Sequence, residues 1–66
     1  MVLGDAELLA RLARGQTDAE IAQSLGYSRH YVAHRLMALR RRLGLRNRTA
    51  LAAYAGEQGY RESLDP

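Results

Sequence analysis

Two histidines, His30 and His34, stand four residues apart near the middle of this 66-residue chain. On a helix that spacing places both imidazoles on one face, where they could hold a metal ion or donate hydrogen bonds. A structural metal site needs about four protein ligands, and the sequence offers no convincing third ligand and no cysteine. We therefore expect no metal site and no cofactor, and we expect the imidazoles to donate to phosphates or bases.

Arginines dominate the charge around these histidines. Between residues 21 and 56 the chain has no acidic residue, although its formal net charge is only +3. The basic residues of this stretch are Arg29, Arg35, Arg40, Arg41, Arg42, Arg46 and Arg48. A solvated helix face usually interleaves acids with its bases. The stretch therefore indicates a surface that attracts phosphate, although an anionic membrane or an acidic protein would be attracted in the same way.

Enzyme chemistry has little support in the sequence. A nucleophile that uses a histidine as its base needs an acidic side chain behind that histidine, and the acid-free stretch supplies none. No glycine-rich phosphate loop and no suitably spaced pair of carboxylates is present either. We expect a protein that is not an enzyme.

The length allows one small domain, predicted over residues 1–59 with a frayed tail over 60–66. Good helix formers run through the chain, and its single proline is the last residue, which predicts an all-α fold. No apolar stretch approaches the roughly 20 residues of a membrane span, and no signal-peptide pattern opens the chain. We expect a soluble, cytoplasmic protein with no membrane partner. Because so small a core supplies only about 3 to 5 kcal/mol, a dimer is worth considering.

Start and stop signals divide the chain into four helices. Thr17 and Glu20 have the spacing of a capping box, and Ser28 and Asn47 are the expected N-caps of the two helices that follow. Gly26 tolerates a left-handed backbone, so the turn before Ser28 can be tight, as in a helix-turn-helix. The predicted helices span about residues 5–14, 18–25, 29–43 and 48–58.

The third helix separates an apolar stripe from a polar face. At about 100° per residue, four aliphatic side chains fall within about 60° of one another and are expected to be buried. They are Val32, Leu36, Leu39 and Leu43. The opposite face carries His30, His34, Met37 and Arg41, with Ala33 at its edge. Hydrogen-bond donors beside one flexible apolar side chain suit contact with the base edges and phosphates of DNA.

The fourth helix is apolar nearly all round, because residues 50–55 read ALAAYA. A short helix on a small domain needs to bury only one stripe. One interpretation is a two-fold dimer contact between small, closely approaching side chains. Its expected residues are Leu51, Tyr54, Ala55 and Gln58. The other interpretation is that the alanines simply favour the helical conformation.

Four segments taken together resemble the LuxR/GerE-type helix-turn-helix domain. They are LARGQT at residues 12–17, EIAQSLGYS at 20–28, YVAHRL at 31–36 and RLGLRNRT at 42–49. The resemblance implies a four-helix fold that binds double-stranded DNA. It further implies that the third helix enters the major groove and that the fourth helix pairs two subunits into a homodimer.

The same resemblance implies roles for individual residues. Ala33, His34 and Met37 would contact bases, and the wheel of the third helix selects His34 and Met37 independently. Tyr31 and Arg35 would lie nearer the DNA backbone, as would Thr17. The complete expected DNA-contacting set is Thr17, Ser28, Arg29, His30, Tyr31, Ala33, His34, Arg35, Met37 and Arg41.

The chain departs from the family pattern at three positions, two of which belong to the expected DNA-contacting set. The family commonly has lysines where this chain has Ala19 and Ala33, and a threonine where it has Tyr31. DNA contact could shift to Arg29 and to the arginines at 40–42. Two alternatives stay open: an adaptor or anti-activator that captures a larger regulator, and a module of the sigma-factor region-four type that acts with RNA polymerase.

Overall fold

The computed structural model describes residues 4–60. Within that range the regular structure is helical, with α1 Asp5–Ala13, α2 Asp18–Leu25, α3 Arg29–Arg42 and α4 Arg48–Glu57. The predicted all-α class is confirmed, and every helix begins at the predicted residue. Three helices end one residue earlier than predicted. Of the tail predicted over residues 60–66, residue 60 packs against the core, and residues 61–66 lie outside the described range.

Side chains cap three of the helix starts. The Thr17 hydroxyl accepts from the Glu20 backbone N–H at 3.1 Å, and the Glu20 carboxylate accepts from the Thr17 N–H at 2.8 Å, which completes the predicted capping box. The Ser28 and Asn47 side chains each accept from the backbone N–H three residues on, at 3.0 and 2.9 Å. Each such cap typically contributes about 1 kcal/mol, and together they fix where α2, α3 and α4 begin.

A three-residue turn, residues 26–28, connects α2 to α3. Gly26 has a φ of 76°, in the left-handed region that a side chain disfavours. Its N–H donates to the Ala22 carbonyl at 2.9 Å, and the Tyr27 N–H donates to the same oxygen at 3.0 Å. Because these bonds close the end of α2, the chain reverses immediately into α3, which forms a helix-turn-helix.

The core lies between two pairs of packed helices. α2 packs mainly against α3, and α1 packs mainly against α4. Every helix contributes buried aliphatic side chains to one cluster. Its large members are Leu8, Leu9, Leu12, Ile21, Val32, Leu36, Leu39 and Leu51. This cluster holds the inner side of α3 in place, so its opposite side is left for solvent.

Three side chains do not lie where the sequence predicts them. Leu43 was expected in the core but is 37% exposed, because α3 ends at Arg42 and the chain turns away at Gly44, whose φ is 71°. Leu51 and Ala55 were expected in a dimer contact, yet they are 1% and 0% exposed. They belong to the domain's own core, since α4 packs against α1.

Candidate nucleic-acid interface

The side of α3 that points away from the core carries a row of exposed side chains. His30, His34, Met37 and Arg41 are all exposed, and we call them the outward face. His30 and Arg41 are about 16 Å apart along the helix axis, since each helical residue rises about 1.5 Å. Nothing within residues 4–60 forms a side-chain hydrogen bond or ion pair with the two histidines or with Arg41. The row therefore presents its donors to solvent, as the helical wheel predicts.

A groove of about 260 Å³ runs along one border of the outward face, between α3 and α4. Ala33 and Met37 line it on the α3 side, and Met37 is 44% exposed. Two core residues, Leu36 and Leu51, form its floor. Its polar rim consists of Asp18, Arg40 and Arg48. The groove thus gives the outward face an apolar border beside its cationic row.

A second, open groove of about 340 Å³ lies where α2 and α3 both begin. Thr17 and Arg29, which come from different helices, both line it. Both residues are exposed, and Arg29 has no side-chain partner among the described residues. The structure therefore brings together two of the predicted DNA-contacting residues at one end of the outward face.

Arg35 occupies the opposite flank of α3 and was predicted to lie near the DNA backbone. Its Nη2 donates to the Asp5 carboxylate at 2.9 Å, and its Nη1 donates to the Tyr31 hydroxyl at 2.8 Å. The bond to Tyr31, followed by the bond to Asp5, raises the pKa of the guanidinium. Only 22% of the side chain is exposed. In this structure Arg35 connects α3 to α1 and does not face outward with the histidines.

Tyr31 is half-buried and belongs to the same flank. Its ring stacks on the ring of Tyr27, with centroids 5.0 Å apart. The Arg35 guanidinium lies 5.7 Å from the centroid of the Tyr31 ring. We call Tyr31, Arg35 and Arg42 the α1 flank of α3, because Asp5 at the start of α1 contacts both of its arginines.

Arg42 is the other partner of Asp5. Its Nη2 donates to the second carboxylate oxygen at 2.6 Å. This bond is the largest cause that lowers the pKa of the Asp5 carboxyl. Burial opposes it with the next largest effect, and the bond from Arg35 lowers the pKa further. One carboxylate thereby binds two arginines of the basic block.

Arg40 and Arg48 also have partners within the domain. Arg40 donates to the backbone carbonyls of Leu45 and Arg46, at 2.8 and 3.4 Å, and so ties the α3–α4 connection to α3. Arg48 pairs with the Asp18 carboxylate and donates to the Gln16 carbonyl at 3.2 Å. Within residues 4–60 this leaves Arg29, Arg41 and Arg46 as the guanidinium groups of the block that have no such partner.

Comparison with known proteins identifies the domain. Residues 5–55 match the GerE family model, described as bacterial regulatory proteins of the luxR family. The chain belongs to this family. It is accordingly a helix-turn-helix domain of the DNA-binding, regulatory type. No curated protein and no solved structure matches the chain significantly.

The GerE domain here contains features that the sequence reasoning missed. The arginine block appeared to be uniformly available, whereas four of its seven members have partners within the domain. The acids that bind three of these arginines, Asp5 and Asp18, lie at the starts of α1 and α2, 30 to 37 residues away in the chain. No local spacing signals such a pairing, although acids in the first turn of a helix are common enough to have been considered.

Two other properties of the described part of this GerE domain bear on its chemistry. No group of three or more acidic, histidine or cysteine side chains within residues 4–60 is arranged to hold a metal ion. No helix in that range is long and apolar enough to cross a membrane.

Proposed function

We propose that this protein binds double-stranded DNA sequence-specifically and regulates transcription, with α3 in the major groove. The single observation that carries the proposal is the outward face. A rigid helix, anchored by buried aliphatic residues, presents two imidazoles and a guanidinium that the described chain neither covers nor neutralises. The major groove of B-DNA admits such a helix and offers acceptors to its donors.

The two kinds of contact are assigned to different residues. Arg29 and Arg41 stand at the two ends of α3 and are suited to phosphates, together with Thr17 and the exposed Ser28 at the helix starts. His30 and His34 lie between these ends, where base edges are nearest. A helix length of about 16 Å spans roughly five base pairs at about 3.4 Å each, the size of one half-site.

We propose further that two copies pair through the solvent side of α4. Leu51 and Ala55 face the core, so the pairing surface consists of other positions. Ala53 and Gln58 are exposed, and Ala50 and Tyr54 are half-buried at the edges of the same side. Small side chains would let two such helices approach closely. A dimer of this kind would read two half-sites about one helical turn apart, which predicts an imperfect palindrome as its operator.

The test is enrichment of bound duplexes from a random-sequence pool at low salt, followed by binding and sizing measurements on the enriched site. We expect one preferred, roughly palindromic site and a complex that contains two protein copies. Exchange of His34 for Ala should change the preference by about 1 to 3 kcal/mol at one base-pair position. Ser24→Ala is the control, because Ser24 is exposed on α2 and is not part of α3's outward face. An unchanged preference in the His34 variant would contradict the assigned role of α3.

An adaptor that captures a larger regulator or RNA polymerase is the second candidate. The observation that favours it is Ala33, which stands at the edge of the outward face where the family commonly has a lysine. An adaptor would stay off DNA even at low salt. Failure to recover any duplex from the pool, with a folded protein, would therefore select this candidate.

A further inference from the structure

We propose that Ala33 and Met37 form an apolar reading patch that recognises the 5-methyl group of thymine. This inference rests on the proposed function, since it requires α3 to lie in the major groove. The side chains of Ala33 and Met37 have no hydrogen-bond donor, and the inference gives them an apolar group of a base to contact. It also names the class of half-site that the protein prefers, one with a thymine opposite the middle of α3.

The first support is the exposure of Met37. Within residues 4–60 only Met37 and Leu43 are large hydrophobic side chains with substantial exposure, at 44% and 37%. Leu43 lies beyond the end of α3, at its C-cap. Met37 instead lies within the helix, between His34 and Arg41 on the outward face. A flexible thioether held among cationic donors adds nothing to phosphate binding, but it adapts well to an apolar contact.

The second support is the position of Ala33, four residues before Met37 on the same side of α3. Side chains with this spacing are neighbours on a helix surface. Ala33 is half-buried, and its methyl group lines the same groove as the Met37 side chain. The floor of the groove is aliphatic, formed by Leu36 and Leu51. The two residues and this floor create a continuous apolar recess next to the donors of α3.

The chemistry of the major groove selects the occupant. Each base pair presents acceptors and donors there, and the only apolar group on the four standard bases is the thymine 5-methyl. A methyl group is small enough for a recess whose whole volume is about 260 Å³. Charge favours DNA over an apolar peptide as the source of this group. Arg41 is one turn from Met37, Arg40 is on the rim, and Asp18 on the rim is already paired with Arg48.

The experiment exchanges thymine for deoxyuridine, one position at a time, in the enriched duplex. This exchange removes the methyl group and leaves all hydrogen-bonding groups of the base in place. At one position per half-site we expect the wild-type affinity to fall about fourfold, the equivalent of one buried methyl group. The same exchange should have no effect on Met37→Gln, which has lost the apolar contact. Met37→Leu should retain the full fourfold effect, because an aliphatic side chain restores the recess.

Several results would overturn the inference and leave the proposed function standing. One is sequence-specific binding that is indifferent to deoxyuridine at every position. Another is a deoxyuridine effect of equal size in wild type and Met37→Gln, which would assign the methyl contact to a different residue. Because Met37 is exposed, the variants should unfold at the same urea concentration as wild type, and this is checked first. Absence of any duplex binding would instead refute the proposed function itself.

Discussion

Arg41 and Arg42 are neighbours in the sequence, yet they stand in two different regions of α3. Arg41 belongs to the outward face and has no side-chain partner within residues 4–60. Arg42 belongs to the α1 flank and donates to Asp5 at 2.6 Å. One step along the helix turns the side chain by about 100°, which is enough to separate a surface for DNA from a surface that holds the domain together. Neighbouring arginines of one basic block can therefore have different roles.

The two regions also differ in how their side chains are held. On the α1 flank, Tyr31 and Arg35 are half-buried. Arg35 donates hydrogen bonds to the Tyr31 hydroxyl and to Asp5, and the Tyr31 ring stacks on the ring of Tyr27. On the outward face, His30, His34 and Arg41 make no such bonds with any residue from 4 to 60. The flank fixes the orientation of α3 on α1, and the outward face keeps donors that a ligand can use. Substitutions on the α1 flank should thus change the stability of the domain, whereas substitutions on the outward face should change its affinity for DNA.

The largest expected effect is the loss of DNA affinity when two arginines of α3 that have no side-chain partner among the described residues are removed. Exchange of both Arg29 and Arg41 for Ala should make the slope of log K against log salt less steep by about 1.8 for each protein copy in the complex, which corresponds to roughly 60-fold weaker binding per copy at 0.1 M salt. The loss follows because each arginine would release counterions from one phosphate. Fluorescence anisotropy with the enriched duplex at several salt concentrations measures the slope.

Arg42→Ala is the matched control for that comparison. It removes the same charge from the adjacent position, but its guanidinium is already bound to Asp5. We expect the slope to change by less than half as much as it does in an Arg41→Ala variant. Equal slopes for the two single variants would show that the α1 flank and the outward face do not differ in DNA binding.

The next largest effect concerns the stability of the α1 flank. Arg35→Gln should lower the free energy of unfolding by about 1.5 kcal/mol, because it breaks hydrogen bonds from a half-buried guanidinium to Asp5 and Tyr31. Urea titration measures this change. Arg41→Gln makes the same exchange on the outward face and should alter stability by no more than about 0.5 kcal/mol. A larger loss in Arg41→Gln than in Arg35→Gln would reverse the roles of the two regions.

The sequence could predict the helices and the outward face because both depend on local pattern. The caps at Thr17, Ser28 and Asn47 act over three residues, and helical periodicity assigns His34 to the side opposite the core. The roles of Arg35 and Arg42 could not be predicted, since their partner Asp5 is more than 29 residues away and becomes a neighbour only when α1 packs. The same tertiary packing placed Leu51 in the core.

The smallest expected effect is a pH dependence of stability, which should arise at the α1 flank and not at the outward face. Arg42 and Arg35 lower the pKa of the Asp5 carboxyl below its ordinary value of 3.8. A carboxyl with a depressed folded-state pKa contributes stability that is present above its unfolded-state pKa and is lost as the pH falls through its folded-state pKa. The contribution should therefore be complete at neutral pH, should decrease as the pH approaches 3.8, and should be lost below the lowered folded-state pKa.

Solvent limits the size of this effect. Asp5 is 39% exposed and Arg42 is 68% exposed, so water and salt screen much of their attraction. We expect Asp5→Asn to cost no more than about 1 kcal/mol at pH 7. The difference from wild type should shrink toward zero as urea titrations are repeated at lower pH. Since Asn cannot titrate, a difference that persists unchanged to about pH 2 would mean that the residue at position 5 stabilises α1 in some way other than by its charge. The α1 flank would then be held by Tyr31 and packing, and the contrast between Arg41 and Arg42 would rest on exposure alone.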